Sequence, residues 1–106
     1  MAKYLIVASY TADGIKGVLS KGGTARRDAV AKTVADLGGQ VESFYFAFGE
    51  DDAYVIVDLP DNVSAAAVGM AVGASGMVTS RTVVLLTPEE IDKAAKTQLA
   101  YRAPGS

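Results

Sequence analysis

The segment from Gln40 to Leu59 constrains the fold of this chain more than any other. Gln40 to Gly49 alternates Val41, Ser43, Tyr45 and Ala47 with Glu42, Phe44, Phe46 and Phe48, and aromatic and β-branched residues dominate it, which predicts a strand. Glu50-Asp51-Asp52 makes a turn and Ala53 to Leu59 returns as a second strand, so the two form an antiparallel hairpin. Pro60-Asp61 breaks the run. What flanks this hairpin then decides the topology.

Upstream, Lys3 to Tyr10 reads as a strand closed by a turn-like Thr11-Ala12-Asp13-Gly14, and Ile15 to Leu19 has room for one helical turn. Thr24, after Lys21-Gly22-Gly23, is placed as the N-cap of a helix to about Leu37, where Ala25, Ala29, Val30, Thr33, Val34 and Leu37 recur at helical spacing and Gly38-Gly39 stops it. Downstream, Asp61 or Asn62 caps an Ala-rich helix to about Ser75, and Met77 to Leu86 is a last strand rich in Val and Thr. Thr87-Pro88-Glu89-Glu90 is a helix start, a capping Thr with Pro first and Glu three residues on; that helix covers about 88–99 and leaves 100–106 as a tail. The order is a split βαβ, an α+β ferredoxin-like fold. It has a four-stranded antiparallel sheet ordered 4-1-3-2, two helices on one face and an extra C-terminal helix, all within a single domain of residues 1–106.

A sheet covered on one side only should alternate apolar with polar residues, and this one does not. The phase Phe44, Phe46, Phe48, Ala53, Val55 and Val57 is the natural helix side. The other phase is then Tyr4, Ile6, Ala8, Tyr10, Ser43, Tyr45, Ala47, Tyr54, Ile56 and Asp58, too apolar for open water. Covering it with a second copy of the chain gives a homodimer or a larger ring; the alternative is that the C-terminal helix folds back over it. The Asn62–Ser75 helix is apolar all round, and Gly69 and Gly73 allow close approach by a neighbouring helix or by its own sheet.

Composition removes whole classes of chemistry. There is no His and no Cys among the 106 residues, hence no Ser-His-Asp triad, no thiol nucleophile, no ordinary zinc site and no redox pair. Any acid–base chemistry would need a shifted carboxylate, Lys or Tyr. Ten Lys and Arg against twelve Asp and Glu give no basic field for nucleic acid. The N-terminal apolar run, Leu5 to Ala8, is too short for a signal-peptide core, and the uncharged stretch from Asn62 to Ser80 is too rich in Ala, Gly and Ser for a membrane span, so the expectation is a cytoplasmic protein without membrane partners.

Three places could bind something. Lys21-Gly22-Gly23-Thr24-Ala25-Arg26-Arg27 sets Gly22, Gly23, Arg26 and Arg27 at a helix N-terminus; this is either an anion site or a solvated turn whose Arg residues reach Asp28, Asp36 or another subunit. Glu50-Asp51-Asp52 lacks the spaced ligands of a cation loop and reads as an acidic tip exposed to water, and no metal site is expected. The third is a tyrosine-rich face, Tyr4, Tyr10, Tyr45 and Tyr54 with Asp58 and Arg81. It is either a ligand pocket, in which Asp58 could act as a base, or an interface of packed tyrosines and one ion pair.

Phe44-Tyr45-Phe46-Ala47-Phe48-Gly49-Glu50, Asp52, Val55 to Asn62 and Leu85-Leu86-Thr87-Pro88-Glu89-Glu90 together resemble the GYD-domain family of small bacterial proteins. Lys3-Tyr4-Leu5, Gly22 to Arg27 and Tyr101-Arg102 are similar to it too, so the resemblance covers nearly the whole chain. The family's Gly-x-Tyr-Asp pattern stands here as Gly49, Glu50, Asp51 and Asp52, with Asp51 in the tyrosine's place. The resemblance implies a ferredoxin-like fold of the dimeric α/β-barrel kind and brings no established activity. The expected function is binding of a small, partly apolar molecule by a homo-oligomer, without a cofactor, in a Tyr-rich pocket at the sheet face or between subunits. The alternative is a non-catalytic assembly or regulatory module.

Overall fold

The computed structural model describes residues 1–106. Strand β1 (Ala2–Tyr10) leads into helices α1 (Ala12–Lys21) and α2 (Gly23–Asp36), then the hairpin β2 (Gln40–Phe46) and β3 (Ala53–Leu59). Helix α3 (Asn62–Ala74), strand β4 (Val78–Leu85) and helix α4 (Pro88–Lys96) follow. The strands form one antiparallel sheet in the order β2-β3-β1-β4, the order expected for a ferredoxin-like fold.

The elements begin and end for local reasons. Thr11-Ala12-Asp13-Gly14 starts a helix where a turn was expected: Thr11 is an N-cap whose Oγ1 accepts from the Gly14 amide at 3.2 Å, and α1 runs for 10 residues instead of one turn. Gly22, at φ +88°, ends α1 and starts α2, so the cap lies there and not at Thr24. Strand β2 ends at Phe46, and just beyond it Ala47 donates its amide across the hairpin loop to the Asp52 carbonyl at 2.8 Å, closing the turn. Asp61 caps α3 by accepting from the Ser64 amide at 2.9 Å, and Thr87 and Glu90 form the full capping box of α4. Helix α4 ends at Lys96, short of residue 99, where the backbone turns extended at Thr97.

Strand register corrects the assignment of faces. Tyr4 lies opposite Val57, Ile6 opposite Val55 and Ala8 opposite Ala53, so Tyr4, Ile6, Ala8 and Tyr10 share the helix side with the Phe44 and Phe46 phase. Lys3, Leu5, Val7 and Ser9 take the open side. Both phases of β1 are apolar, so alternation alone could not choose between them; pairing chose. The core therefore gathers Tyr4, Val55, Val57 and Leu59 from the sheet, Val34 from α2, and Ala65 and Val68 from α3. Val34, Val57 and Leu59 have no exposed surface, and each buried side chain of this kind stabilises the fold by about 1.5–3 kcal/mol.

The open side remains apolar without the β1 tyrosines. Leu5, Val7, Tyr54, Ile56 and Val83 adjoin one another across three strands, with Tyr45 71% exposed beside Tyr54. Helix α4 does not fold over this face: none of its residues is buried, and the chain extends to 57 × 32 × 23 Å with a radius of gyration of 16.9 Å. A compact chain of this length has a radius of gyration of about 13 Å. Helix α3 buries Ala65 and Val68 while Val63 and Met70 stay exposed, and neither Gly69 nor Gly73 has another part of the chain against it, so these glycines serve no close contact within the chain.

Candidate functional site

Helix α2 packs on β2 at one side of the sheet and α3 on β4 and β3 at the other. The two helices meet where Val34 and Val68 join the core and diverge toward the N-terminal end of α2 and the C-terminal end of α3. A cleft of about 560 Å³ opens between them, within the usual range for a small-molecule site. Strand β1 lines it with Ile6 and Tyr10, β4 with Val78, and α1 with Gly17 and Val18. Helix α1 sits this close because Gly14 has no side chain: a Cβ there would lie 1.9 Å from the Met77 carbonyl oxygen.

The walls are small and aliphatic, with Val30 of α2 facing Val72 of α3. The polar side chains of the lining are those of Asp13 and Lys21 on α1, Arg26 and Thr33 on α2, and Ser75 after α3. The Ser75 hydroxyl is already engaged, donating to the Val72 carbonyl at 2.6 Å. Arg26 is not. Its Nε is buried and has no hydrogen-bond partner, and none of the chain's four ion pairs includes it. Its guanidinium carbon lies 5.9 Å from the centroid of the Tyr10 ring, and Tyr10 in turn stacks on Phe46 at 6.5 Å. Gly23 allows this stack, since a Cβ there would come within 2.9 Å of the Phe46 ring.

The residues singled out in the sequence separate into three places. Gly22, Arg26 and Tyr10 all line the cleft. Gly23 packs on Phe46, and Arg27, one residue beyond Arg26, points away to an exposed pair with Asp28 at 3.2 Å. Tyr4 is a core residue, 1% exposed, and the open face keeps Tyr45, Tyr54, Asp58 and Arg81. The four tyrosines therefore line no common pocket. Nor do Asp58 and Arg81 form a pair: Asp58 lies opposite Lys3, whose β4 neighbour is Leu85, while Arg81 is four residues further along β4, about 13 Å at strand spacing.

Asp58 is held ionised rather than tuned toward neutrality. Hydrogen bonds from Lys3, at 2.9 Å, and from Gln40, at 3.2 Å, hold its carboxyl below the ordinary range. Lys3 is raised in turn, first by its hydrogen bond to Glu42 and then by that to Asp58. This triad is an electrostatic clasp across β1, β2 and β3, and a general base at Asp58 does not fit it. The acidic hairpin turn is also structural rather than a free tip. Asp51 accepts from the Ser9 hydroxyl at 3.1 Å, and Asp52 accepts from the Tyr10 amide at 2.8 Å, tying the turn to the end of β1. No group of three or more Asp and Glu side chains is placed to hold a metal ion.

The cleft itself had a partial signal in sequence. Adjacent arginines on a helix diverge by about 100°, so only one of Arg26 and Arg27 can face inward. What sequence could not show was the splay of α2 from α3. No helix is long and apolar enough to cross a membrane. Comparison with curated proteins and with solved structures gives no match. The GYD domain model matches residues 4–95, from the core tyrosine of β1 through most of α4. With that match over most of its length, the chain belongs to the GYD domain family.

Proposed function

We propose that this protein binds a small, largely apolar molecule in the cleft between α1, α2, α3 and the helix side of the sheet, and that two copies pair through their open sheet faces. One observation carries the binding reading: a cleft of about 560 Å³ with aliphatic walls stands open on a chain of only 106 residues. Leaving such walls wet forgoes stabilisation of about 25 cal/mol per Å² of apolar surface, which a bound molecule would recover. Pairing is supported by the apolar residues of the open face: Val7 is buried among its neighbours, but Tyr45, Tyr54 and Val83 stay exposed around it and α4 does not cover them.

The binding reading is tested with 2-naphthalenemethanol, a neutral apolar probe, in a heteronuclear NMR titration. Amide shifts confined to the neighbourhood of Val18, Ala29, Ala71 and Val72 are expected. Ala71→Trp, which fills the cleft from the exposed side of α3, should abolish them. Shifts confined to the open sheet face, or binding untouched by Ala71→Trp, would overturn the reading.

A further inference from the structure

We infer that the cleft selects a monocarboxylate with an apolar body, its carboxylate received by Arg26 and its body lying between Val30 and Val72. This rests on reading the cleft as a ligand site and adds the chemical class. Lys3 pairs with Glu42 and Asp58, Arg27 with Asp28 and Lys32 with Asp36, whereas Arg26 pairs with no carboxylate. Arg26 has only the Tyr10 ring face, and its Nε is the single buried side-chain polar atom in the chain without a hydrogen-bond partner. Arg26 therefore keeps guanidinium N–H donors beside the cleft with no carboxylate partner, and a charge-assisted hydrogen bond from such donors is among the strong ones.

The ligand class follows from charge and shape. A guanidinium presents parallel N–H donors that match a carboxylate, and the Tyr10 ring, 5.9 Å from the guanidinium carbon, leaves those donors free. Asp13 and Lys21 also line the cleft, from opposite ends of α1 and about 12 Å apart along its axis, which leaves Arg26 as the one guanidinium in the lining. One carboxylate matches that one guanidinium, whereas a dianionic phosphate would bring a second charge with no second guanidinium in the lining to meet it. The aliphatic walls require the rest of the molecule to be apolar.

The test compares naphthalene-2-carboxylate with 2-naphthalenemethanol on the full chain by calorimetry and NMR. The carboxylate is expected to bind about tenfold more tightly, the scale of one charge-assisted hydrogen bond. Arg26→Met should erase that preference, bringing the affinities of the two probes together, because Met keeps the helix and the apolar stem while removing the charge. Arg26→Gln is the second variant should Met perturb folding, and Arg26→Lys should keep part of the preference. Equal binding of both probes to the unmodified protein would overturn the charge assignment and leave the cleft reading standing. A preference that survives both Arg26→Met and Arg26→Gln would place the anion elsewhere and overturn it too. Binding of neither probe in the cleft would defeat both readings.

Discussion

The Tyr4 hydroxyl donates a 2.6 Å hydrogen bond to Oδ1 of Asn62, joining the first strand to the first turn of α3 across 58 residues of sequence. The ring is buried in the core while its hydroxyl reaches the surface at the start of a helix, which is how a tyrosine occupies a site that phenylalanine would fill less completely.

Tyr4→Phe is therefore expected to destabilise the fold by about 0.5–1.5 kcal/mol, the worth of one hydrogen bond whose acceptor can still reach water. Tyr4→Ala should cost about 3–5 kcal/mol because the core cannot close over the missing ring. Urea unfolding checks both: the midpoint should fall in that order with the slope unchanged. Equal midpoints for Tyr4→Phe and the parent would remove the hydrogen bond from the account.

Stability should fall at both ends of the pH scale for separable reasons. Asp58 and Asp61 are held below their ordinary value of 3.8, Asp58 by Lys3 and Gln40 and Asp61 by the Ser64 amide. The unfolded chain therefore takes up their protons first, and the stability they contribute, present above about pH 4, is lost as pH falls through their native values. Lys3 is raised above 10.5, so its contribution is complete below that value and is lost as pH climbs past its native one. Asp58→Asn should flatten the acid limb of a urea midpoint profile, and Asp61→Asn should flatten it while preserving the helix cap. The effects should shrink in high salt, since these groups lie near solvent. An unchanged acid limb in the double variant would show that the loss of stability arises elsewhere.

Pairing through the open face makes a third expectation. Sedimentation equilibrium at micromolar concentration should return twice the chain mass of 10.9 kDa. Replacing Tyr54 and Val83 by Asp should return one chain mass with a dispersed NMR spectrum, because both side chains lie on that face and outside the core. A parent protein that sediments as a single chain would refute pairing.

The hairpin and the capping box were legible because each depends on neighbours in sequence, an acidic turn and Thr87 three residues before Glu90, and the sheet order followed from the order of the elements and the handedness of their crossovers. What depended on distant partners was not. Strand β1 offers Tyr4, Ile6 and Ala8 on one phase and Leu5 and Val7 on the other, and only the match of Tyr4 to Val57 decides which meets the helices. That one choice moved two tyrosines out of the expected pocket. Thr11 misled for a different reason, since Thr-Ala-Asp-Gly serves equally as a turn and as a helix start. Arg26 was visible as a cation at a helix start, but its lack of a partner follows from where every carboxylate in the folded chain lies.

The arm formed by α4 has a hydrodynamic consequence. A chain 57 Å long with a compact domain at one end meets more friction than a sphere of its mass, so it will leave a gel-filtration column early, as a heavier globular protein would. Elution volume therefore confuses length with copy number for this molecule, and a variant trimmed after Leu86 would shift its elution even if its number of subunits never changed.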